Sequence, residues 1–125
     1  MSLYQDEIMD HYRNPRNFGC KDCQYNSSSN VHNPSCGDKI EVHVLVENEI
    51  IKEICFEGFG CALSTASASI LTDFTKGKKV SEIKLLDSAK VVQLLNINIT
   101  PARMKCALLP LEAIQEAIDK NSKSK

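Results

Sequence analysis

The sequence predicts an α+β domain in which helices are laid on one face of a small antiparallel sheet. Three observations predict it. The chain has 125 residues, a length that suits one domain. Residues 40–57 alternate between apolar and polar types across one tight turn. The segments before and after them repeat at helical spacing instead.

The first element is an amphipathic helix over Leu3 to Arg13. Leu3, Tyr4, Ile8 and Tyr12, with His11, share one side, and Asn14-Pro15 ends it. Phe18 to Ser35 is loop-rich, with Gly19, Cys20 and Cys23 and then Asn26-Ser27-Ser28-Ser29-Asn30, and holds one short strand. Ile40, Val42, Val44 and Val46 then alternate with Glu41, His43, Leu45 and Glu47, the mark of a half-buried strand. A turn at Asn48 returns the chain as Ile50 to Glu57, with Ile50, Ile54 and Phe56 on one face. So short a connection makes the pair antiparallel, and two strands alone are too weak without further cover.

After Gly58-Phe59-Gly60 the spacing becomes helical. Leu63, Ala66, Ile70, Leu71 and Phe74 form one stripe, and Lys76-Gly77-Lys78-Lys79 stops it. Short helices follow at Ser81–Leu85 and Ser88–Leu95. The last helical stretch reaches about Lys120, with Ala107, Leu111, Ile114 and Ile118 inward. Pro110 stands inside it, and an internal proline costs about 3 kcal/mol. The expected arrangement is therefore a separate, mobile turn carrying Cys106, followed by a helix starting near Pro110. Asn121 to Lys125 is a polar tail, and no internal repeat divides the 125 residues.

Hydrophobic residues at 42% and charged residues at 25% match an ordinary globular domain rather than a disordered chain. A domain of this size buries roughly two-thirds of its unfolded surface, enough for a core without covalent staples. Fifteen Lys and Arg against 16 Asp and Glu give a net charge of −1, which excludes broad binding to nucleic acid or to an anionic membrane. No apolar run is long enough for a transmembrane helix. The acidic start, Met1-Ser2-Leu3-Tyr4-Gln5-Asp6-Glu7, resembles neither a secretory signal nor a transit peptide. The expected location is the cytoplasm, or an organelle after processing.

Cysteine is the outlier, at positions 20, 23, 36, 55, 61 and 106. In a chain without a secretory signal these are reduced thiols or metal ligands rather than a disulfide framework. Cys36 lies in Asn33-Pro34-Ser35-Cys36-Gly37-Asp38, bracketed by turn residues, with Asp38 close enough to share a metal. Cys61 follows Gly58-Phe59-Gly60 at the start of a helix, where the partial positive charge favours a thiolate. Cys106 follows Lys105, whose ammonium acts in the same direction. Three thiolates and one carboxylate could close a tetrahedral zinc site or hold a two-iron cluster. One hard oxygen among three sulfurs would make a bound cluster easier to release than four thiolates would. Separations of 25 and 45 residues match no local finger pattern, so spacing leaves open three unrelated buried thiols as well.

The remaining candidates read as ordinary residues. Cys20-Lys21-Asp22-Cys23 could bind metal or cycle as a dithiol, but it lacks a partner CxxC and a redox fold, which favours incidental thiols. Cys55 reads as strand packing, and His11 and His43 as surface or half-buried residues. His32, near Cys36, is a weaker candidate ligand or proton donor. Gly58-Phe59-Gly60 continues into no phosphate-binding motif.

Asp10-His11-Tyr12-Arg13-Asn14-Pro15-Arg16-Asn17, Cys36-Gly37-Asp38, Phe59-Gly60-Cys61 and Lys105-Cys106 together resemble the iron–sulfur cluster assembly scaffolds of the IscU/NifU N-terminal type, from about Tyr4 to Ile118. The resemblance implies a three-stranded antiparallel sheet packed against several helices. It also implies that Cys36, Asp38, Cys61 and Cys106 hold a transient [2Fe–2S] cluster, or zinc. Sulfur would come as persulfide from a cysteine desulfurase, with the three cysteines as acceptors, and the cluster would pass to acceptor apoproteins. On that reading the protein is a scaffold rather than an enzyme. Lys105 stands where the scaffold pattern commonly has His, and would be a cation beside the ligands. That lysine and Asn33-Pro34 resemble the SufU branch, which implies the alternative of a zinc-dependent sulfur acceptor. SufU proteins usually carry an extra segment of roughly two dozen residues before the third cysteine. Lys76 to Arg103 is too short to contain it. Ile99-Thr100-Pro101-Ala102-Arg103 keeps only one proline and the final cation of the Leu-Pro-Pro-Val-Lys chaperone motif, which weakens the case for that chaperone as a partner.

Overall fold

Alternation in the middle of the chain builds the sheet, and the helical segments cover one of its faces. The computed structural model describes residues 3–20, 23–33 and 37–123, with side chains for residues 6–121 of these. The order is α1 (Leu3–Arg13), β1 (Ser27–Asn33), β2 (Asp38–Glu47), β3 (Ile50–Phe59), α2 (Ala62–Thr75), α3 (Val80–Lys84), α4 (Ser88–Leu95) and α5 (Pro101–Lys123). The three strands form an antiparallel meander in the order β1-β2-β3. The α+β class and the three-stranded sheet are as the sequence and its resemblance predict.

In β2, Asp38, Ile40, Val42, Val44 and Val46 are buried against the helices, and the residues between them face the other way. Asn48 and Glu49 both adopt positive φ, 53° and 64°, which gives the two-residue turn the twist a hairpin prefers. The sheet's third strand is the polar run Ser27–Asn33, whose inward hydroxyls reach the last helix. Ser27 Oγ donates to the Ala117 carbonyl at 2.6 Å, and Ser29 Oγ donates to that of Ala113. A strand whose one apolar residue is Val31 thus still has a buried, satisfied face.

Helix α2 runs through the centre, between α1 and α5. Leu63, Ala66 and Leu71 are buried as expected, but so are Ser64, Ser67, Ala68, Ser69 and Thr72. Ile70 and Phe74 are only half-buried, and the Lys78 ammonium lies 4.9 Å from the Phe74 ring centroid. Small side chains let neighbouring backbones approach, and their hydroxyls are satisfied locally: Ser67 Oγ donates to the Ala107 carbonyl at 2.6 Å. On α1, Ile8 is buried while Tyr12 is exposed, contrary to the expected inward stripe. His11 supplies the contact there, with Nδ1 2.6 Å from Ser69 Oγ.

Pro110 does not interrupt α5, which is one helix of 23 residues. The expected separate turn carrying Cys106 is therefore incorrect. Cys106, Ala107 and Leu109 before the proline are buried in the same core as Leu111, Ala113, Ile114, Ala117 and Ile118 after it. Burying one large apolar side chain contributes about 1.5–3 kcal/mol. Docking both halves on one body thus offsets the roughly 3 kcal/mol of an internal proline. No helix among the described residues is long and apolar enough to cross a membrane.

Candidate metal centre

Three of the four residues that the sequence assigns to a metal meet where β2 begins and α2 and α5 pass. One ligand atom each from Asp38, Cys61 and Cys106 lies within 4.8 Å of the others. Cys36 lies outside the described residues.

Each donor is placed by a local feature. Asp38 opens β2 on its inward face and is 2% exposed. Cys61 is the N-cap of α2 in extended backbone, and its Sγ accepts from the Ser64 N–H at 3.4 Å. The Cys61 N–H donates to Asp38 Oδ1 at 3.1 Å, and Asp38 Oδ2 lies 3.8 Å from Cys61 Sγ. Strand start and helix start are therefore joined through the carboxylate itself. Both groups thus accept backbone N–H groups at the start of α2. Cys106 enters from the second turn of α5 and is 8% exposed. The Ser67–Ala107 bond fixes the spacing of α5 from α2 one residue away.

The two glycines before Cys61 are required for different reasons. Gly58 has φ 147°, and a Cβ there would collide with the Lys39 carbonyl. At Gly60 the constraint is space: an added Cβ would meet Ser64 Oγ, and would lie 2.8 Å from Asp38 Oδ1. The Phe-Gly-Cys segment thus leaves the room that the carboxylate occupies.

Lys105 is exposed on α5 and lines an open groove with His32, Asn33, Leu108, Leu109 and Glu112. His32 pairs with Lys39 across the sheet and is not among the three converging donors.

A second convergence was not read from the sequence. Cys20, His43 and Cys55 also offer ligand atoms within 4.8 Å of one another. They lie on the sheet face opposite the helices, where Cys55 is buried and pairs directly with His43. Burial pushes the Cys20 thiol up to about 11. Burial also raises Cys55 strongly, and the neighbouring Cys20 and Cys23 act in the same direction. The signal was present as a CxxC followed by a strand histidine and a strand cysteine, but only the hairpin register brings them together.

The pattern of the NifU-like N terminal domain matches residues 3–125. The chain belongs to that family. Its relatives include the "Iron-sulfur cluster assembly scaffold protein IscU" of Buchnera aphidicola subsp. Schizaphis graminum, 35% identical over 130 residues that cover 98% of each chain. They also include the "Zinc-dependent sulfurtransferase SufU" of Bacillus subtilis, 35% identical over 138 residues covering 95% of this chain and 91% of that one. Spans of 130 and 138 residues both exceed this chain's 125, so both relatives carry residues inside the match that this chain lacks. The N-terminal NifU-like protein of Brucella abortus has the same fold, with a TM-score of 0.80 at 18% identity over 98% of this chain and 96% of that one. The family is therefore one of iron–sulfur cluster assembly scaffolds with a sulfurtransferase among its members.

Proposed function

We propose that this protein is a scaffold on which a [2Fe–2S] cluster is assembled and from which it is passed to apoproteins, with the chain acting as one domain. The convergence of Asp38, Cys61 and Cys106 from three separate elements carries the reading. Cys36, two residues along the chain from Asp38, completes the set as its third thiolate. A cysteine desulfurase supplies sulfur at the oxidation level of elemental sulfur, and a thiol reductant brings it to sulfide. Two-iron clusters take soft sulfur ligands, so the single carboxylate is the weakest member of the set and the point of release. A reducing compartment such as the cytoplasm keeps the thiols available. Lys105, exposed beside Cys106, offers a cation near the incoming sulfur.

Anaerobic incubation with desulfurase, cysteine, ferrous iron and a thiol reductant tests the proposal. The expected result is a visible sulfur-to-iron charge-transfer spectrum that Cys61→Ser and Cys106→Ser abolish and Cys36→Ser reduces sharply. A spectrum unaffected by all three, or none in the wild type, would overturn it. The alternative reading, a zinc-dependent sulfur acceptor that stimulates the desulfurase, rests on equal identity to the SufU relative. It predicts one tightly held zinc at this set that iron and sulfide do not displace, with faster desulfurase turnover.

A further inference from the structure

The sheet face turned away from the helices holds donors that the scaffold reading does not use. On it lie Cys20 from the loop after α1, His43 from the middle of β2 and Cys55 from the middle of β3. We propose that Cys20, Cys23, Cys55 and His43 form a second, structural zinc site, separate from the cluster-building set and tying Cys20 and Cys23 to the sheet.

Three independent features support it. The first is convergence of soft donors. Cys20 Sγ and Cys55 Sγ are 2.7 Å apart, and a His43 ring nitrogen joins them within 4.8 Å. Cys23 lies outside the converging three, its Sγ 3.5 Å from the Gln24 carbonyl oxygen, and joins as the fourth ligand by turning from that carbonyl toward its neighbour Cys55. Three thiols and one imidazole match a closed tetrahedral zinc set, with no position left for water or substrate. A tetrahedral zinc holds its sulfurs about 3.8 Å apart, so Cys20 and Cys55 separate by about 1 Å on binding.

The second feature is the histidine. His43 Nε2 lies 3.2 Å from Glu41 Oε2, which places the ring proton on Nε2. Nδ1 is then a lone pair, and it is buried without a hydrogen-bond partner. A buried nitrogen left in that state costs about 1–3 kcal/mol, and a metal ion removes the cost. Carboxylate, imidazole and metal in that order are the usual support of a zinc-bound histidine. The Tyr25 ring packs against the His43 ring, with centroids 4.2 Å apart and planes tilted by 39°.

The third feature is that the chain on either side of Cys20 and Cys23 is already fastened to the sheet. Gly19 N–H donates to the Phe56 carbonyl and Phe56 N–H to that of Asn17, both at 2.9 Å. Cys20 N–H donates to Glu57 Oε1 at 2.8 Å. At the other end, Asn26 N–H donates to the Val44 carbonyl at 2.9 Å. Cys20 and Cys23 sit between these fastenings, above the strand positions of His43 and Cys55.

The site is tested in the full chain. Cys36→Ser/Cys61→Ser/Cys106→Ser removes the thiols of the first set, and this variant is expected to retain one zinc per chain after desalting. Cobalt(II) in its place is expected to show thiolate-to-metal charge transfer. Adding Cys20→Ser/Cys55→Ser to that variant is expected to abolish both signals. Glu41→Gln, which leaves every ligand in place, is expected to weaken zinc roughly 10- to 100-fold. A readout that needs no variant is alkylation mapped by mass in the wild type. Zinc is expected to protect Cys20, Cys23 and Cys55 together, and chelation to expose them together. A metal-free triple variant, alkylation of Cys20 and Cys23 indifferent to zinc, iron retained there in preference to zinc, or a Cys20–Cys55 disulfide in anaerobic protein would each overturn the site.

Discussion

Replacing Gly60 by alanine probes how the carboxylate donor is positioned. The added methyl lies 2.8 Å from Asp38 Oδ1 and 2.9 Å from its Cγ, whereas ordinary contact begins at 3.4 Å. Asp38 is 2% exposed and cannot swing into solvent. Its carboxylate must therefore retreat by about 0.6 Å, which close packing resists. That retreat lengthens the 3.1 Å bond from Cys61 N–H, the one that joins β2 to the N-cap of α2. Overpacking of this kind costs about 1–3 kcal/mol, and a weakened bond to a carboxylate adds to it up to about 1.5 kcal/mol. The predicted loss of stability is thus about 2–4 kcal/mol. It is measured from urea midpoints of the metal-free protein, so that metal binding does not mask it. A shift of 0.6 Å also exceeds the roughly 0.5 Å tolerance of a working constellation, so the yield of reconstituted cluster should fall as well.

Ser64→Ala is the control. It removes the other group that the new methyl meets, so Gly60→Ala/Ser64→Ala should recover only the part of the loss due to the hydroxyl. Should Gly60→Ala alone unfold within about 0.5 kcal/mol of the wild type, as an ordinary surface change does, the argument fails. It fails equally if Ser64→Ala restores full stability, because the carboxylate would then not be the obstacle.

Three further outcomes are expected. Pro110→Ala restores an N–H that can reach the Cys106 carbonyl and relieves the clash with the preceding turn, so thermal unfolding should move upward by about 1–2 kcal/mol after a small loss of buried surface. Burial, and then the charge of Arg16, hold His11 below its ordinary 6.5. The folded state therefore binds this proton less readily than the unfolded chain, so stability is lost as pH falls below about 6.5. Urea midpoints between pH 7.5 and 5 should show that slope, and His11→Gln should flatten it. In metal-free protein, Cys20 near 11 should carry about one-hundredth of an ordinary cysteine's thiolate at pH 8. The higher nucleophilicity of a more basic thiolate offsets part of this, leaving alkylation roughly tenfold slower than for a small free thiol.

The sheet and most helices were legible because their signals are periodic and local. Ile40 to Val46 alternate strictly, and Cys61 follows two glycines that mark a sharp strand-to-helix change. What escaped was set by tertiary contacts. Ser27 and Ser29 read as loop residues because their burial depends on α5 carbonyls about 90 and 84 positions away along the chain. Tyr12 was read inward because spacing cannot show that His11 makes the contact with α2. Pro110 was read as a break because its local cost is visible in sequence, while the core that outweighs it is not. Asp38, Cys61 and Cys106 were nameable from chemistry and resemblance. That a backbone N–H of one donor residue binds the carboxylate of another was not.

The same limit explains why the sequence alone reads Cys55 as strand packing and Cys20 and Cys23 as incidental thiols. In β2, Asp38 and His43 are five residues apart, an odd number, and a strand sends such residues to opposite faces. The inward face collects Asp38 beside Cys61 and Cys106, while the outward face sets His43 beside Cys55 and beneath the CxxC loop. One strand therefore keeps two groups of sulfur donors apart by a sheet's thickness. In a scaffold of the proposed kind, with iron and sulfur handled on the inward face, thiols free to scavenge either would compete with assembly. Closing the outward set with zinc removes that competition. Stripping zinc from the outward set alone should therefore lower the yield of correctly liganded cluster on the inward one. In the Cys20→Ser/Cys55→Ser variant, which cannot compete, the yield should return once the variant's folding is verified by its far-UV spectrum. A yield that ignores zinc in both proteins would show the two faces to be independent.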